Sequence, residues 1–234
     1  MFKTVIYLKK VGSTMTAAKQ LLSILEPPFI VLAESQTSGH GQRSRKWLSP
    51  EGGLWFTEVF YTERILGLSL FMSIPILRVL KKYDPEIKVK WPNDLYLNNK
   101  KIAGILTKTS RNIAFVGIGI NAENDIPAEA KKYAISLKEL ENINKTKIFE
   151  GIKEEEEKLL PVFNKNGFAT FRNEYEDHLI FMNKNITVKS ESVTYGKVLG
   201  VTDLGELILE TASGTKKNCS RDCVKFLSFR IIFT

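Results

Sequence analysis

The arrangement of apolar patterns along the chain restricts the fold more than any other feature of the sequence. In residues 1–184, short strand-like runs alternate with helical patterns, which is typical of an α+β domain. From residue 185 the pattern changes to short alternating strands, with Gly196, Gly205 and Gly214 as expected turn centres. We therefore predict a mixed β-sheet with helices on one side in residues 1–184, followed by a small β-barrel in residues 185–234.

The periodicity also places the individual elements. The helix predicted over residues 64–82 contains Pro75, where we expect a kink. The acidic run from Glu154 to Glu157 is expected to form a solvated helix face. Residues 35–53 contain glycines and basic residues but few large apolar ones, which is typical of a long functional loop. Predicted strands cover 2–8, 29–33, 54–60, 88–91, 95–97, 102–107 and 113–120, and predicted helices cover 15–25, 64–82, 145–160 and 167–180.

Composition narrows the class of protein. The chain has 234 residues and a formal net charge of +8, which suits a phosphate ligand, an acidic partner or a nucleic acid. Because the positive charge is spread out, with one tight cluster at Arg43, Arg45 and Lys46, we predict no DNA binding. The two cysteines, Cys219 and Cys223, favour a reducing compartment. The first apolar run is short and interrupted by lysines, so we expect a cytoplasmic protein with no membrane segment.

The loop from Gly39 to Trp47 combines glycines, cations and an aromatic residue, a pattern that suits an anion. It does not match the dinucleotide-binding fingerprint, because Ser44 stands at the third glycine and a turn-rich segment follows. The Gly-Lys-Ser/Thr run of a Walker loop does not occur in the chain. A basic surface loop remains the alternative for this segment.

Two further motifs place polar residues at strand ends. Lys90-Trp91-Pro92-Asn93-Asp94 ends a predicted strand and presents an amide and a carboxylate, although both could simply cap a turn. Lys101-Ile102-Ala103-Gly104 follows a tight turn at 98–100, and its lysine could instead protect a sheet edge.

Small residues mark two more positions. Gly117 and Gly119 remove side chains from one face of an apolar strand, which leaves room for a ligand or a close backbone. Ser13 and Thr14 precede a helix, where capping is the favoured interpretation and ligand contact is the other.

In this order and spacing, the motifs resemble those of the biotin protein ligase family over nearly the whole chain. Lys-Trp-Pro-Asn-Asp followed by Lys-Ile-Ala-Gly is the most specific part of the match. The resemblance implies a class II synthetase-like or biotin-ligase-like mixed sheet followed by an SH3-like barrel. It also implies a two-step reaction, in which biotin and ATP form biotinyl-5′-AMP and a lysine of a biotin carboxyl carrier protein then takes the biotinyl group.

The resemblance further implies roles for single residues. Lys101 and Asp94 would be catalytic, with Lys101 between the biotin carboxylate and the α-phosphate and Asp94 accepting a proton. Mg²⁺ would accompany ATP, with no protein ligand assigned to a metal, and a homodimer is possible. The expected biotin-binding residues are Ser13, Thr14, Met15, Gln36, His40, Gly41, Gln42, Lys101, Gly104, Gly117 and Gly119. The expected ATP- and adenylate-binding residues are Arg43, Arg45, Lys46, Trp47, Asn93, Asp94 and Asn121.

The sequence departs from the family pattern at a few of these positions. Gln42 stands where arginine is usual, so we expect weaker retention of the adenylate. Met15 stands where asparagine is common, and Lys225 replaces an arginine expected after Asp222. The catalytic motifs begin near Met1, so we expect a short form without the winged helix that makes some relatives repressors. Two alternatives stay open: a lipoate–protein ligase, and a biotin- or adenylate-binding module with impaired turnover.

Overall fold

The computed structural model describes residues 4–42, 45–189 and 193–219. The strands are β1 (Thr4–Val11), β2 (Phe29–Gln36), β3 (Leu54–Tyr61), β4 (Lys88–Lys90), β5 (Asp94–Leu97), β6 (Lys100–Ser110), β7 (Ile113–Ile120), β8 (Asn185–Lys189), β9 (Val193–Val201), β10 (Leu207–Glu210) and β11 (Lys216–Cys219). The helices are α1 (Thr14–Leu21), α2 (Leu68–Phe71), α3 (Ser73–Leu80), α4 (Lys145–Asn166) and α5 (Arg172–Asp177).

A seven-stranded mixed sheet forms the centre of the larger part of the molecule. Its strand order is β1-β2-β3-β7-β6-β5-β4. Strands β1 and β2 run parallel, and every other neighbouring pair is antiparallel. The predicted mixed sheet with helices is therefore confirmed.

The two faces of this sheet are covered by different helices. On β3, Phe56 and Phe60 pack into the large core formed with α2, α3 and α4. Val59 points to the other face, where it packs with Met15 and Ala18 of α1. The expectation of helices on one side thus holds for α2 to α4 but not for α1, since β2 and β3 alternate apolar residues toward both faces.

The helix predicted over 64–82 is divided into α2 and α3, which separate at Met72. Pro75 has no N–H to donate to the carbonyl of Phe71, so the hydrogen-bond ladder is interrupted just before the proline. The helix predicted over 167–180 is also divided. It starts with a 3₁₀ turn at Phe168–Phe171 and continues as the short α5.

The acidic run on α4 is not wholly solvated, contrary to expectation. Glu156 is buried and forms an ion pair with Lys153, whose ammonium group also contacts the buried Glu58 of β3. Burial raises the pKa of Glu156. The sequence pattern could not reveal this burial, because Glu58, the other carboxylate that contacts Lys153, lies on a strand far away in sequence.

The C-terminal residues form a four-stranded antiparallel sheet of order β11-β10-β9-β8. Gly205 and Gly214 lie in turns with positive φ, as predicted. The prediction for Gly196 was wrong, because it lies inside β9, where a Cβ would come within 2.6 Å of the Glu210 carbonyl oxygen. This small sheet fits an SH3-like domain, and the boundary between 184 and 185 stays a prediction.

Within the described part of the chain, we find no helix that is both long and apolar enough to span a bilayer.

Candidate active site

A cavity of about 510 Å³ lies on the face of the large sheet that carries α1. Most residues that the sequence pointed to line it together, although they come from α1, four strands and the loop after β2. The predicted residues that line it are Ser13, Thr14, Met15, Gln36, His40, Gly41, Gln42, Arg45, Lys46, Trp47, Asn93, Asp94, Lys101, Gly104, Gly117 and Gly119. Arg43 lies outside the described residues.

The floor of the cavity is formed by glycines on neighbouring strands. Gly104 of β6 and Gly119 of β7 are register partners. The indole of Trp47 lies against both, since a Cβ at Gly119 would come within 2.6 Å of Trp47 Nε1 and one at Gly104 within 3.0 Å of its Cζ3. A Cβ at Gly117 would come within 3.0 Å of Met15 Cε. Only glycine permits this close packing of Trp47 and Met15 on the sheet.

A chain of hydrogen bonds forms the polar wall at the start of α1. The Thr14 amide donates to Gln36 Oε1 at 2.8 Å, and the Thr14 hydroxyl donates to the same oxygen at 3.2 Å. Gln36 Nε2 donates to Ser49 Oγ at 2.8 Å. Ser13 occupies the N-cap position, but its side chain makes no capping hydrogen bond. The predicted N-cap position of Ser13 is therefore confirmed, but the capping hydrogen bond is not formed, and the buried residue lines the cavity.

The loop after β2 folds back on itself as a small hairpin over the cavity. Gln36 N donates to the Ser49 carbonyl at 3.0 Å, and Trp47 N donates to the Gly39 carbonyl at 2.8 Å. A Cβ at Gly39 would come within 2.6 Å of the Trp47 carbonyl oxygen, so glycine is needed for this close approach. The hairpin brings Arg45 and Lys46 to the cavity wall.

The opposite end of the cavity is charged. Lys101 Nζ lies 2.5 Å from Asp94 Oδ1, and the same ammonium group lies 4.8 Å from the centroid of a Trp47 ring. The Asn93 side chain donates to the Ile105 carbonyl. This bond ties the residue just before β5 to β6. A lysine paired with a single carboxylate at an open cavity can turn toward an incoming anion at small cost.

Some lining residues were missed by the sequence analysis. Tyr96 and Tyr133 line the cavity, and Lys90 Nζ donates to Tyr96 Oη at 3.1 Å just behind it. Burial lowers the pKa of Lys90, and the nearby charges of Lys101 and Arg45 act in the same direction while Asp94 opposes them. Burial also raises the pKa of Tyr96. The period of two along β5, which puts Tyr96 on the same face as Asp94, could have revealed the tyrosine.

Two buried N–H groups in the cavity wall have no hydrogen-bond partner among the described residues. They are Gln42 Nε2 and Trp47 Nε1. Buried donors of this kind usually bind an acceptor, so Gln42 Nε2 favours a ligand with an acceptor atom nearby, whereas Trp47 Nε1 lies against Gly119.

Among the predicted site residues that the structure describes, Asn121 does not line the cavity. Its side-chain oxygen accepts a hydrogen bond from Asn124 Nδ2 at 3.3 Å, and its backbone N donates to the Ile102 carbonyl at 2.8 Å. The backbone hydrogen bond joins the end of β7 to β6. In the described segments, three or more His, Cys, Asp or Glu side chains do not come together as a metal site.

Comparison with known proteins gave matches over nearly the whole chain. Residues 7–125 match the model of the biotin/lipoate A/B protein ligase family, and residues 181–233 match that of the biotin protein ligase C terminal domain. The bifunctional ligase/repressor BirA of Bacillus subtilis is 32% identical, over 93% of this chain and 72% of its own. The biotin–[acetyl-CoA-carboxylase] ligase of Paracoccus denitrificans is 32% identical over 49% of this chain and 52% of its own.

Among solved structures, biotin protein ligase from Aquifex aeolicus in complex with biotin and ATP superimposes with a TM-score of 0.84. It is 29% identical and covers 97% of both chains.

Proposed function

Because this chain belongs to the biotin/lipoate A/B protein ligase family, we infer that it is an ATP-dependent biotin–[acetyl-CoA-carboxylase] ligase. It forms biotinyl-5′-AMP from biotin and ATP and then transfers the biotinyl group to a lysine of a biotin carboxyl carrier protein. The observation that supports this most directly is one cavity with a neutral hydrogen-bonding end at Thr14 and Gln36 and a cationic end at Lys101.

The neutral end suits the head of biotin. Its cyclic urea presents N–H donors and a carbonyl acceptor, and Thr14 and Gln36 offer an acceptor and a donor close together. Ser13 adds a further hydroxyl at the same wall. Met15 and the Trp47 indole, which pack on the glycines of the sheet, give an apolar surface for the remainder of the ligand.

In the first step, a biotin carboxylate oxygen attacks the α-phosphorus of ATP, and the bond to the β-phosphate oxygen breaks to release pyrophosphate. Two anions must be brought together, so catalysis depends on positioning and on stabilising negative charge. In this proposal Lys101 leaves Asp94 and lies between the carboxylate and the α-phosphate. Arg45 and Lys46 from the hairpin then meet the remaining phosphate oxygens.

In the second step, the amine of the carrier lysine attacks the carbonyl carbon of the adenylate, and AMP leaves with the bonding electrons. The attacking amine must lose a proton as the amide forms. Asp94, freed from Lys101, is the carboxylate beside this position and accepts it.

Mg²⁺ would accompany ATP and neutralise part of the phosphate charge. The phosphates of ATP and water would hold most of this ion, because Asp94 is the one carboxylate among the described cavity-lining side chains and is paired with Lys101. The cytoplasmic location, the absence of DNA and membrane binding, and the possible homodimer stay predictions.

One incubation separates the candidate functions. The protein is mixed with ATP, Mg²⁺, a carrier domain and either labelled biotin or labelled lipoate. Label on the carrier lysine from biotin supports the ligase. Transfer of lipoate alone would support a lipoate–protein ligase, and biotin that binds without being transferred would indicate a binding module.

A further inference from the structure

A buried hydroxyl lies directly behind the neutral end of the cavity, on a residue to which the sequence motifs do not point. Thr57, in the middle of β3, has no exposed surface. Its Oγ1 donates a hydrogen bond to Thr14 Oγ1 at 2.9 Å. Thr57 lies along the wall of the cavity, but because its side chain is fully buried we expect it to act on a ligand through Thr14.

The direction of every proton in this chain of hydrogen bonds follows from one backbone group. The Thr14 amide can only donate, so the atom of Gln36 that faces it at 2.8 Å must be the carbonyl oxygen. That oxygen can only accept, so the Thr14 hydroxyl spends its one proton on it. Thr57 must then be the donor toward Thr14, because the proton of Thr14 is already used.

Thr14 and Gln36 therefore have few hydrogen-bonding positions left to offer to a ligand in the cavity. A hydroxyl has one proton and two lone pairs. Thr14 has used its proton on Gln36 and one lone pair on Thr57, so it offers a single acceptor position. Gln36 Nε2 has given one proton to Ser49 Oγ and keeps one proton to donate.

We propose that Thr57 is a positioning residue for substrate specificity, which occupies one lone pair of the Thr14 hydroxyl and so leaves it a single acceptor position of fixed direction toward the ligand. A head group with an N–H next to a carbonyl, as in a cyclic urea, satisfies Thr14 and Gln36 together. This inference rests on the proposed biotin ligase function. It adds a determinant outside the recognised motifs.

Thr57 lies opposite Gly117, its register partner on β7. A Cβ at Gly117 would lie 3.6 Å from Thr57 Oγ1 and 3.0 Å from Met15 Cε. Valine has nearly the shape of threonine but cannot donate, so Thr57→Val removes the donated proton with little change in packing. The Thr14 hydroxyl then still donates to Gln36, but it has a second free lone pair, so the direction in which it accepts from a ligand is no longer restricted.

The test compares Thr57→Val and Thr57→Ser with Thr62→Val, using adenylate formation from biotin and ATP. Thr62 is a matched control, because it is also buried and its hydroxyl donates to the Arg64 carbonyl away from the cavity. We expect Thr57→Val to raise KM for biotin about tenfold, the usual effect of losing one buried hydrogen bond, with KM for ATP unchanged. Thr57→Ser keeps the hydroxyl and should restore KM to within about twofold.

A ligand analogue supplies a readout that a general loss of packing would not change. Biotin methylated on one ureido nitrogen, tested as each of the two isomers, lacks one N–H. The wild type should discriminate against the isomer that lacks the N–H facing Thr14. Thr57→Val should reduce that preference about tenfold, because the acceptor is no longer held in place.

The outcomes are distinguishable. An active wild type whose Thr57→Val variant shows no larger rise in KM than Thr62→Val, or an unchanged preference between biotin and its methylated isomers, overturns this inference alone. A wild type that makes no adenylate from biotin overturns the proposed function and this inference with it. If Thr57→Val is too unstable to assay, failure of Thr57→Ser to retain the wild-type preference overturns the inference.

Discussion

At position 42 the cavity has a neutral glutamine, whereas the family pattern has a positively charged arginine. Its amide nitrogen is buried and has no partner among the described residues, so it can donate a hydrogen bond to the adenylate but adds no charge. Gln42→Arg should therefore hold the activated intermediate longer. We expect labelling of bystander lysines, with labelled biotin and ATP but no carrier, to fall several-fold in this variant.

A matched control adds the same charge elsewhere. Gln20 is exposed on α1 and does not line the cavity, so Gln20→Arg should leave bystander labelling unchanged. Labelling is divided by the rate of adenylate formation, since release matters here rather than synthesis. Equal normalised labelling by the wild type and by Gln42→Arg would show that retention does not depend on this position.

Lys101 is expected to act in the first step only. If it meets the charge that develops on the carboxylate and α-phosphate, Lys101→Ala should slow adenylate formation by about two to four orders of magnitude. Transfer from supplied biotinyl-5′-AMP to the carrier should stay within about threefold of the wild type, a change of less than about 1 kcal/mol in the barrier. Pyrophosphate release and carrier labelling measure the two steps separately.

Asp94→Asn is the counterpart, since the amide cannot accept the proton of the carrier lysine. It should slow transfer from the supplied adenylate more than it slows adenylate formation. Equal losses of both steps in both variants would contradict the assignment of separate roles and indicate that the pair only maintains the shape of the site.

Individual site residues were predictable where a motif joins unusual residue types at fixed spacing. Trp47, Asp94 and Lys101 come from three such motifs, and the fold brings them to one cavity. Thr57 could not be found in this way, because a threonine in an apolar strand has an ordinary strand composition. Its role depends on Thr14, which lies 43 residues away in sequence.

Strand β7 determines how closely the hairpin can approach the sheet. A Cβ on Gly119 would overlap the Trp47 indole, so Gly119→Ala should displace this ring from the floor. We expect KM for ATP to rise and adenylate retention to fall, because the ring of Trp47, an expected adenylate-binding residue, would no longer lie beside Lys101. The control is Gly12→Ala, where a Cβ would meet nothing within 4 Å.

Tryptophan fluorescence, with Trp47 replaced by phenylalanine as the reference, reports whether the ring has moved. An unchanged KM for ATP in Gly119→Ala, together with a displaced ring, would show that the contact of Trp47 with the floor is not needed for nucleotide binding.

Elements were predicted well where local rules decide them. Asn98 and Asn99 adopt positive φ between β5 and β6, as expected for a two-residue hairpin. Gly196 and the helix over 64–82 were misassigned for different reasons. The first is a glycine needed for close approach to a neighbouring strand, and the second contains a proline whose effect falls three residues upstream.

The two parts of the molecule share one hydrophobic core. Val198 and Leu207 of the C-terminal sheet belong to the same buried cluster as Phe71 and Leu80 of the larger part. The contact also reaches the active site, because Trp91 precedes the Asn93-Asp94 corner and its Nε1 donates to the Gly205 carbonyl at 2.8 Å. Motif order placed both parts along the chain, but it could not reveal this joint, which depends on residues far apart in sequence.

A shared core predicts that the whole chain unfolds in a single cooperative transition. Trp91→Phe leaves the Gly205 carbonyl buried without its donor, at a cost of about 1–3 kcal/mol, so Tm should fall by about 2–10 °C with the transition still single. Arg172→Gln removes an exposed ion pair with Asp203 at the same joint and should shift Tm by less than about 3 °C. Differential scanning calorimetry measures the number of transitions. Two separate transitions in the wild type would mean that the C-terminal sheet unfolds independently. Trp91 would then not couple this sheet to the active-site corner.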